Sequence, residues 1–226
     1  SLLEDIRNSS PLHTLSTFWI GRQPYNKIWR LQRELHDNVI NGITGDIVLL
    51  LEHPHVYTLG KNADNNHLLP SYPKNADVID IDRGGDITYH GPGQLVGYPI
   101  FKWKEESVRK VITTIEEWII TSLSNFGIDG NRDEKMQGVW FQGHKIASIG
   151  LAFSKWVSRH GFDINLDTPE GRIEAVEGCG LPVGKHTSLS NFGHSISVKE
   201  MQDMLLKTMP QILGRIKEKQ TILEIS

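Results

Sequence analysis

Apolar positions along the chain first follow a helical rhythm and then shift to short strand-like runs. After Pro24, Ile28, Leu31, Leu35 and Val39 recur three or four positions apart, which predicts an amphipathic helix stopped by Asn41–Gly42. The run DIVLLLEHPHVYTLG is apolar without alternation and reads as a buried strand ended by Pro54. VIDID, ITYH and QLVGYPIF are further strand candidates. A second helix is predicted over about 107–126, with Val108, Val111, Ile112, Ile115, Ile119 and Leu123 on one face. GVWFQGHKIASIGLAF then reads as a hairpin turning near QGH, and WVSRHGFDINL as the next antiparallel strand. A short helix is expected from Thr168, with Pro169 at its first position, and a last helix over about 198–217. Strands clustered between helices predict an α+β fold with a mixed or antiparallel sheet.

Composition narrows the classes of function. The 226 residues, 38% hydrophobic and 23% charged, suit a single globular domain spanning 1–226. A net charge of -3 gives no support for a broad nucleic-acid surface or a polybasic membrane contact. No apolar stretch approaches the roughly 20 residues needed to cross a bilayer. The opening SLLEDIRNSS has the pattern of neither a secretory signal nor a transit peptide. Cys179 is the sole cysteine, so an intramolecular disulfide and a multi-thiolate zinc site are both excluded. A reducing, cytoplasmic setting is expected.

Three places carry candidate chemistry. RGGDITYHGPGQ packs five glycines or prolines among Arg83, Asp86, Tyr89 and His90. That is either a tight hairpin or backbone that must approach a ligand closely. Cys179, in EGCGLPVG, sits between two glycines. It reads either as a buried small hydrophobe or as a nucleophile whose loop amides steady an oxyanion. A nucleophilic Cys179 needs an activating partner, since an unperturbed thiol is mostly protonated at neutral pH. His160 and Lys145 are the candidates; Lys145 is either a solvated hairpin lysine or a core-strand lysine with a partly desolvated ammonium. His53 and His55 flank Pro54 without further ligands nearby, so His53 is expected to line a pocket and no metal site is predicted.

RGGDITYHGPGQLVGYPI, LLEHPHVYTLG, the GVW–HKIASIGL hairpin, HGFDINLD and the CG loop, in that order, closely resemble lipoyl(octanoyl) transferases, from about Leu49 to Ser190. The resemblance implies a biotin/lipoate protein ligase-like fold, a mixed and largely antiparallel sheet flanked by helices. It implies transfer of octanoyl from the phosphopantetheine thiol of acyl carrier protein to a specific lysine of a lipoyl domain. Acceptors would be the lipoyl domains of 2-oxoacid dehydrogenase complexes and the glycine cleavage H protein. No ATP, cofactor or metal is implied. The acyl-thioester cysteine falls on Cys179 and the activating lysine on Lys145. Substrate-binding segments fall on Arg83, Gly84, Gly85, Asp86, Ile87, Thr88, Tyr89 and His90, on Ser148, Ile149 and Gly150, and on Gly161, Phe162 and Asp163. The chain departs from the family pattern at Gly178, commonly proline, and at Phe162 and Asp163, where small apolar residues are usual; both bear on the acyl pocket. On this reading the glycines of 83–94 form a binding loop. The competing readings are an ATP-using lipoate or biotin ligase and an inactive acyl-binding module. Both make less use of a Cys179–Lys145 pair.

Overall fold

The run VLLL is apolar throughout because its strand is covered on both sides. In β2 (Asp46–Glu52), Ile47, Leu49 and Leu51 enter one core cluster while Val48 and Leu50 enter another. This is the alternation of a pleated strand expressed in two cores rather than one. The first core is closed by α1 (Leu2–Asn8) and α2 (Tyr25–Ile40), through Ile6, Ile28, Leu31, Leu35 and Val39. The second is closed by α3 (Val108–Ser124) and α4 (Val198–Leu213), through Val111, Ile115, Trp118, Ile119, Leu205 and Met209. Fully burying one such aliphatic side chain contributes about 1.5–3 kcal/mol, so these two faces hold the sheet in place.

The structure, a computed structural model, describes residues 1–64, 68, 75–83, 86–169, 173, 185–213 and 219–220. Its main sheet has seven strands in the order β10-β1-β2-β6-β9-β8-β7. These are β1 (Leu15–Arg22), β2, β6 (Gln94–Ile100), β7 (Val139–Phe141), β8 (His144–Ser154), β9 (Val157–Asn165) and β10 (Lys219–Gln220). β1 runs parallel to β2 and β10; the other pairings are antiparallel. A second sheet, β4-β3-β5, joins β3 (Val56–Leu59), β4 (Asp77–Asp80) and β5 (Ile87–His90).

The three predicted long helices form, the last over Val198–Leu213 among the described residues. Ser107 caps α3 by accepting from Lys110 N at 3.3 Å, and α2 ends at Asn41 with Gly42 at φ +68°, where an L side chain is disfavoured. The buried strand predicted to end at Pro54 does so, and the VYTL that follows forms a strand of its own that the sequence reading did not separate. β2 stops at Glu52, Pro54 breaks the ladder, and Val56–Leu59 pairs in the other sheet. Residues 1–22 supply α1 and β1, neither of which the apolar rhythm announced. The short helix expected from Thr168 falls largely outside the described residues.

Candidate functional site

β8 and β9 bring two of the three predicted segments into direct register. Ser148 pairs with Asp163, Ile149 with Phe162 and Gly150 with Gly161. Gly161 has its own requirement for glycine: a Cβ there would lie 2.0 Å from Gly97 O on β6. The neighbouring ring of Phe162 lies over Gly97, whose Cβ would meet Cζ at 2.3 Å, and packs edge-on to Trp118 at 5.4 Å.

The third segment faces them across a cavity of about 420 Å³. Ile87, Thr88 and His90 line it from β5, and Arg83 and Asp86 from the segment before it; Lys145, Ser148, Ile149, Gly150, Gly161, Phe162 and Asp163 line it from β8 and β9. The volume is of the size that holds a small-molecule group. Tyr89 is not among the lining residues: its ring packs against Tyr57 at 5.3 Å and its hydroxyl meets His55 Nδ1 at 2.7 Å. Gly84, Gly85 and Cys179 lie outside the described residues.

Lys145 is 3% exposed, which removes the solvated-hairpin reading. Its backbone is held on both sides, pairing with Trp140 in β7 and bridging to His186, with N donating to Lys185 O at 2.7 Å. Gly138, at φ +127°, leaves room for its stem, since a Cβ there would stand 2.7 Å from Lys145 Cε.

The opposite wall is a network of defined protonation. Gln94 Oε1 can only accept, so His90 Nδ1 carries the proton and donates to it at 2.8 Å. Gln94 Nε2 donates in turn to Tyr89 O at 2.8 Å and to Asn165 Oδ1 at 2.9 Å. The His90 ring stacks on Tyr25 at 5.9 Å, and burial, with His53 nearby, pushes its pKa down to about 3. It is therefore a neutral imidazole at neutral pH. His53 is fully buried and lies outside the lining, contrary to the expectation that it faces the pocket. Its Nδ1 donates to Gln23 O at 2.7 Å, so Tyr98 Oη donates to Nε2 at 2.7 Å.

His160, the other candidate partner for Cys179, also lines the cavity. Its Nε2 donates to Asp82 Oδ1 at 2.8 Å, and Arg159 binds the other carboxylate oxygen. Those two bonds, His160's first, hold Asp82 well below the usual carboxylate range. His160 adopts φ +59°, uncommon for a residue with a side chain, and Gln32 Oε1 fixes its N–H at 2.8 Å. Tyr25, Tyr98, His186 and the stretch Lys135–Met136–Gln137 complete the lining and were not singled out in the sequence. Tyr25 comes from α2, Tyr98 from β6 and the others from positions outside the named strands, and no local motif marks them.

These layers, with a polar cavity between a small and a large sheet, define the class of the biotin and lipoate protein ligase fold. A bipartite lipoate protein ligase from Thermoplasma acidophilum superposes with a TM-score of 0.70 at 16% identity, covering 93% of this chain and 88% of that one. Lipoate-protein ligase A bound with ATP gives 0.68 at 16% identity, covering 93% and 90%. At such identities the likeness is one of fold. The sequence goes further: residues 24–210 match the lipoyl protein ligase A/B catalytic domain, and the chain belongs to that family. An octanoyltransferase of Gloeobacter violaceus is 38% identical over 199 residues, 86% of this chain and 88% of that protein. One of Syntrophobacter fumaroxidans is 37% identical over 214 residues, 91% and 93% of the two chains.

Proposed function

We propose that the chain is an octanoyltransferase of protein lipoylation that works through a thioester on Cys179, with octanoyl-acyl carrier protein as donor and a lipoyl-domain lysine as acceptor. The observation that carries this reading is the burial of Lys145 in a cavity walled by the other predicted segments, in a chain whose relatives are octanoyltransferases. Lipoyl domains of 2-oxoacid dehydrogenase complexes and the glycine cleavage H protein are the proposed acceptors, and the cytoplasm the proposed setting.

In the first step the Cys179 thiolate attacks the donor thioester, its proton having passed to Lys145. A C–S bond forms to Cys179, the bond to phosphopantetheine breaks, and the departing thiolate takes the proton back from Lys145. In the second step the acceptor amine attacks octanoyl-Cys179. A C–N bond forms, the C–S bond breaks, and the amine proton goes by way of Lys145 to the Cys179 thiolate. Thioester exchange is close to isoenergetic and amide formation from a thioester is downhill, so neither step requires ATP. His90 enters as a neutral hydrogen-bonding group rather than as a cation. Arg83, 6% exposed and donating to Thr58 O and Oγ1 at 3.1 and 2.8 Å, braces the segment that faces the acyl group.

Intact mass after incubation with octanoyl-acyl carrier protein, without ATP, tests this directly. One octanoyl mass should appear, vanish when a lipoyl domain is added, and be absent from Cys179→Ala. Transfer that requires free octanoate and ATP would instead make the chain a ligase, the activity named for the proteins that share its fold.

A further inference from the structure

Asp163 is a buried carboxyl that neither step above uses. It is 2% exposed on β9. Oδ1 accepts a long bond, 3.3 Å, from Ser148 N, and Oδ2 lies 3.7 Å from His90 Nδ1, whose proton is already given to Gln94. The charged and titratable groups facing it are Lys145 from β8, Arg83 from the segment before β5, His90 from β5 and Tyr98 from β6. His90 is neutral, the Tyr98 hydroxyl is given to His53, and Arg83 is committed to Thr58. Lys145 is different: among the described residues no hydrogen bond or ion pair engages its Nζ. Asp163 and Lys145 therefore act on each other through space, in a setting where low polarity magnifies the interaction.

We propose that Asp163 is the charge partner of Lys145 in acyl transfer: its carboxylate compensates the ammonium formed when Lys145 takes the proton of the attacking nucleophile. Asp163 carries no proton in the reaction and acts through Lys145, so it is a positioning residue. The inference rests on the octanoyltransferase reading. Burial pushes the Asp163 pKa up to about 7, with Lys145, the Ser148 N–H and Arg83 each restraining the rise. The carboxyl thus changes charge across the range in which such an enzyme works, and the anion is the supporting form.

Two measurements test this. The first is the Asp163 13Cγ titration by NMR, compared between the wild-type protein and Lys145→Met. Loss of the cation should move the midpoint upward by about one pH unit; an unmoved midpoint overturns the coupling, whatever the enzyme's activity. The second is the ratio of wild-type to Asp163→Asn transfer rates, in which ionisations shared by both proteins cancel. It should lie near one at about pH 5 and rise to about tenfold at about pH 8.5, since one pH unit of lost compensation is about 1.4 kcal/mol. A merely structural Asp163 would give a ratio that does not vary with pH, and that result overturns the proposal. Should neither protein transfer octanoyl, the functional reading fails while the titration still decides whether the pair is coupled.

Discussion

Lys145 Cε occupies the space that a side chain on Gly138 would need. A Cβ on Gly138 would stand 2.7 Å from that carbon and 2.6 Å from Ala147 O. Gly138 is itself fixed from α3, since its N–H donates to Glu116 Oε2 at 3.0 Å and Glu116 pairs with Arg132 at 3.4 Å. The glycine thus connects a helix carboxylate to the placement of the lysine. Gly138→Ala should cost about 1–3 kcal/mol through overpacking and strain at positive φ. Transfer should fall by at least about tenfold, because a misplaced general base loses much of its contribution. Thermal unfolding and the transfer rate measure the two effects. Full activity in Gly138→Ala would show that the Lys145 stem relaxes without cost.

Tyr89 and His90 are adjacent on β5 and should respond differently. Tyr89 turns away from the cavity and bonds His55, so Tyr89→Phe should cost about 1 kcal/mol of stability and change transfer less than twofold. His90 lines the cavity, and His90→Ala, which strips Gln94 Oε1 of its donor, should lower transfer markedly. Equal losses in the two variants would mean that the segment acts as one rigid unit rather than residue by residue.

Much of this site was legible because its segments are short and locally distinctive. The crowding of glycine in 83–94 and the apolar setting of Lys145 both mark positions under constraint; Arg83, Asp86, Ile87, Thr88 and His90 of that segment line the cavity, as does Lys145, whereas Gly91 and Gly93 do not. The register that sets Gly150 against Gly161 was not legible, since pairing is decided by which faces are buried across the whole sheet. Tyr25 and Tyr98 illustrate the same limit. Each sits in an ordinary helix or strand pattern, and only the packing of α2 and β6 beside β5 turns them towards His53 and His90. Pro54 does end the first strand as the sequence predicts; what the local pattern does not reveal is that the chain re-enters strand pairing at Val56 in the other sheet.

Stability against pH follows from groups buried with opposite charge preferences. Burial pushes His53 down to about 4 and His90 down to about 3, from about 6.5 in the unfolded chain. Between about pH 4 and 6.5 the unfolded chain holds protons on both that the folded chain lacks, so stability falls on acidification through this window. Asp163 opposes them. Raised to about 7, it keeps a proton in the folded chain that the unfolded chain has lost above about pH 4, so its contribution falls as pH rises. Asp163→Asn removes the opposing proton and should steepen the rise of stability with pH by roughly 1.4 kcal/mol per pH unit near pH 5.5. Urea unfolding at a series of pH values reads this slope. An unchanged slope would mean that Asp163 is ionised in the folded chain throughout.

Phe162 is where packing and substrate choice meet. Its ring lies over Gly97, touches Trp118 and forms part of the cavity wall. Gly97→Ala would set a methyl against the ring, 2.3 Å from Cζ, and should destabilise by about 1–3 kcal/mol while driving the ring into the cavity. Phe162→Leu lacks the atoms that collide, so the double variant should be more stable than the sum of the two single changes predicts, by about 1 kcal/mol or more. The same shortening opens space for the donor. Each additional buried methylene contributes about 0.8 kcal/mol, roughly fourfold. Phe162→Leu should therefore shift kcat/KM towards ten-carbon over eight-carbon donors, by up to about fourfold for each methylene that enters the new space. A chain-length profile identical to that of the wild-type protein, together with strict additivity in the Gly97 pair, would place the acyl tail elsewhere in the cavity and leave Phe162 a core residue alone.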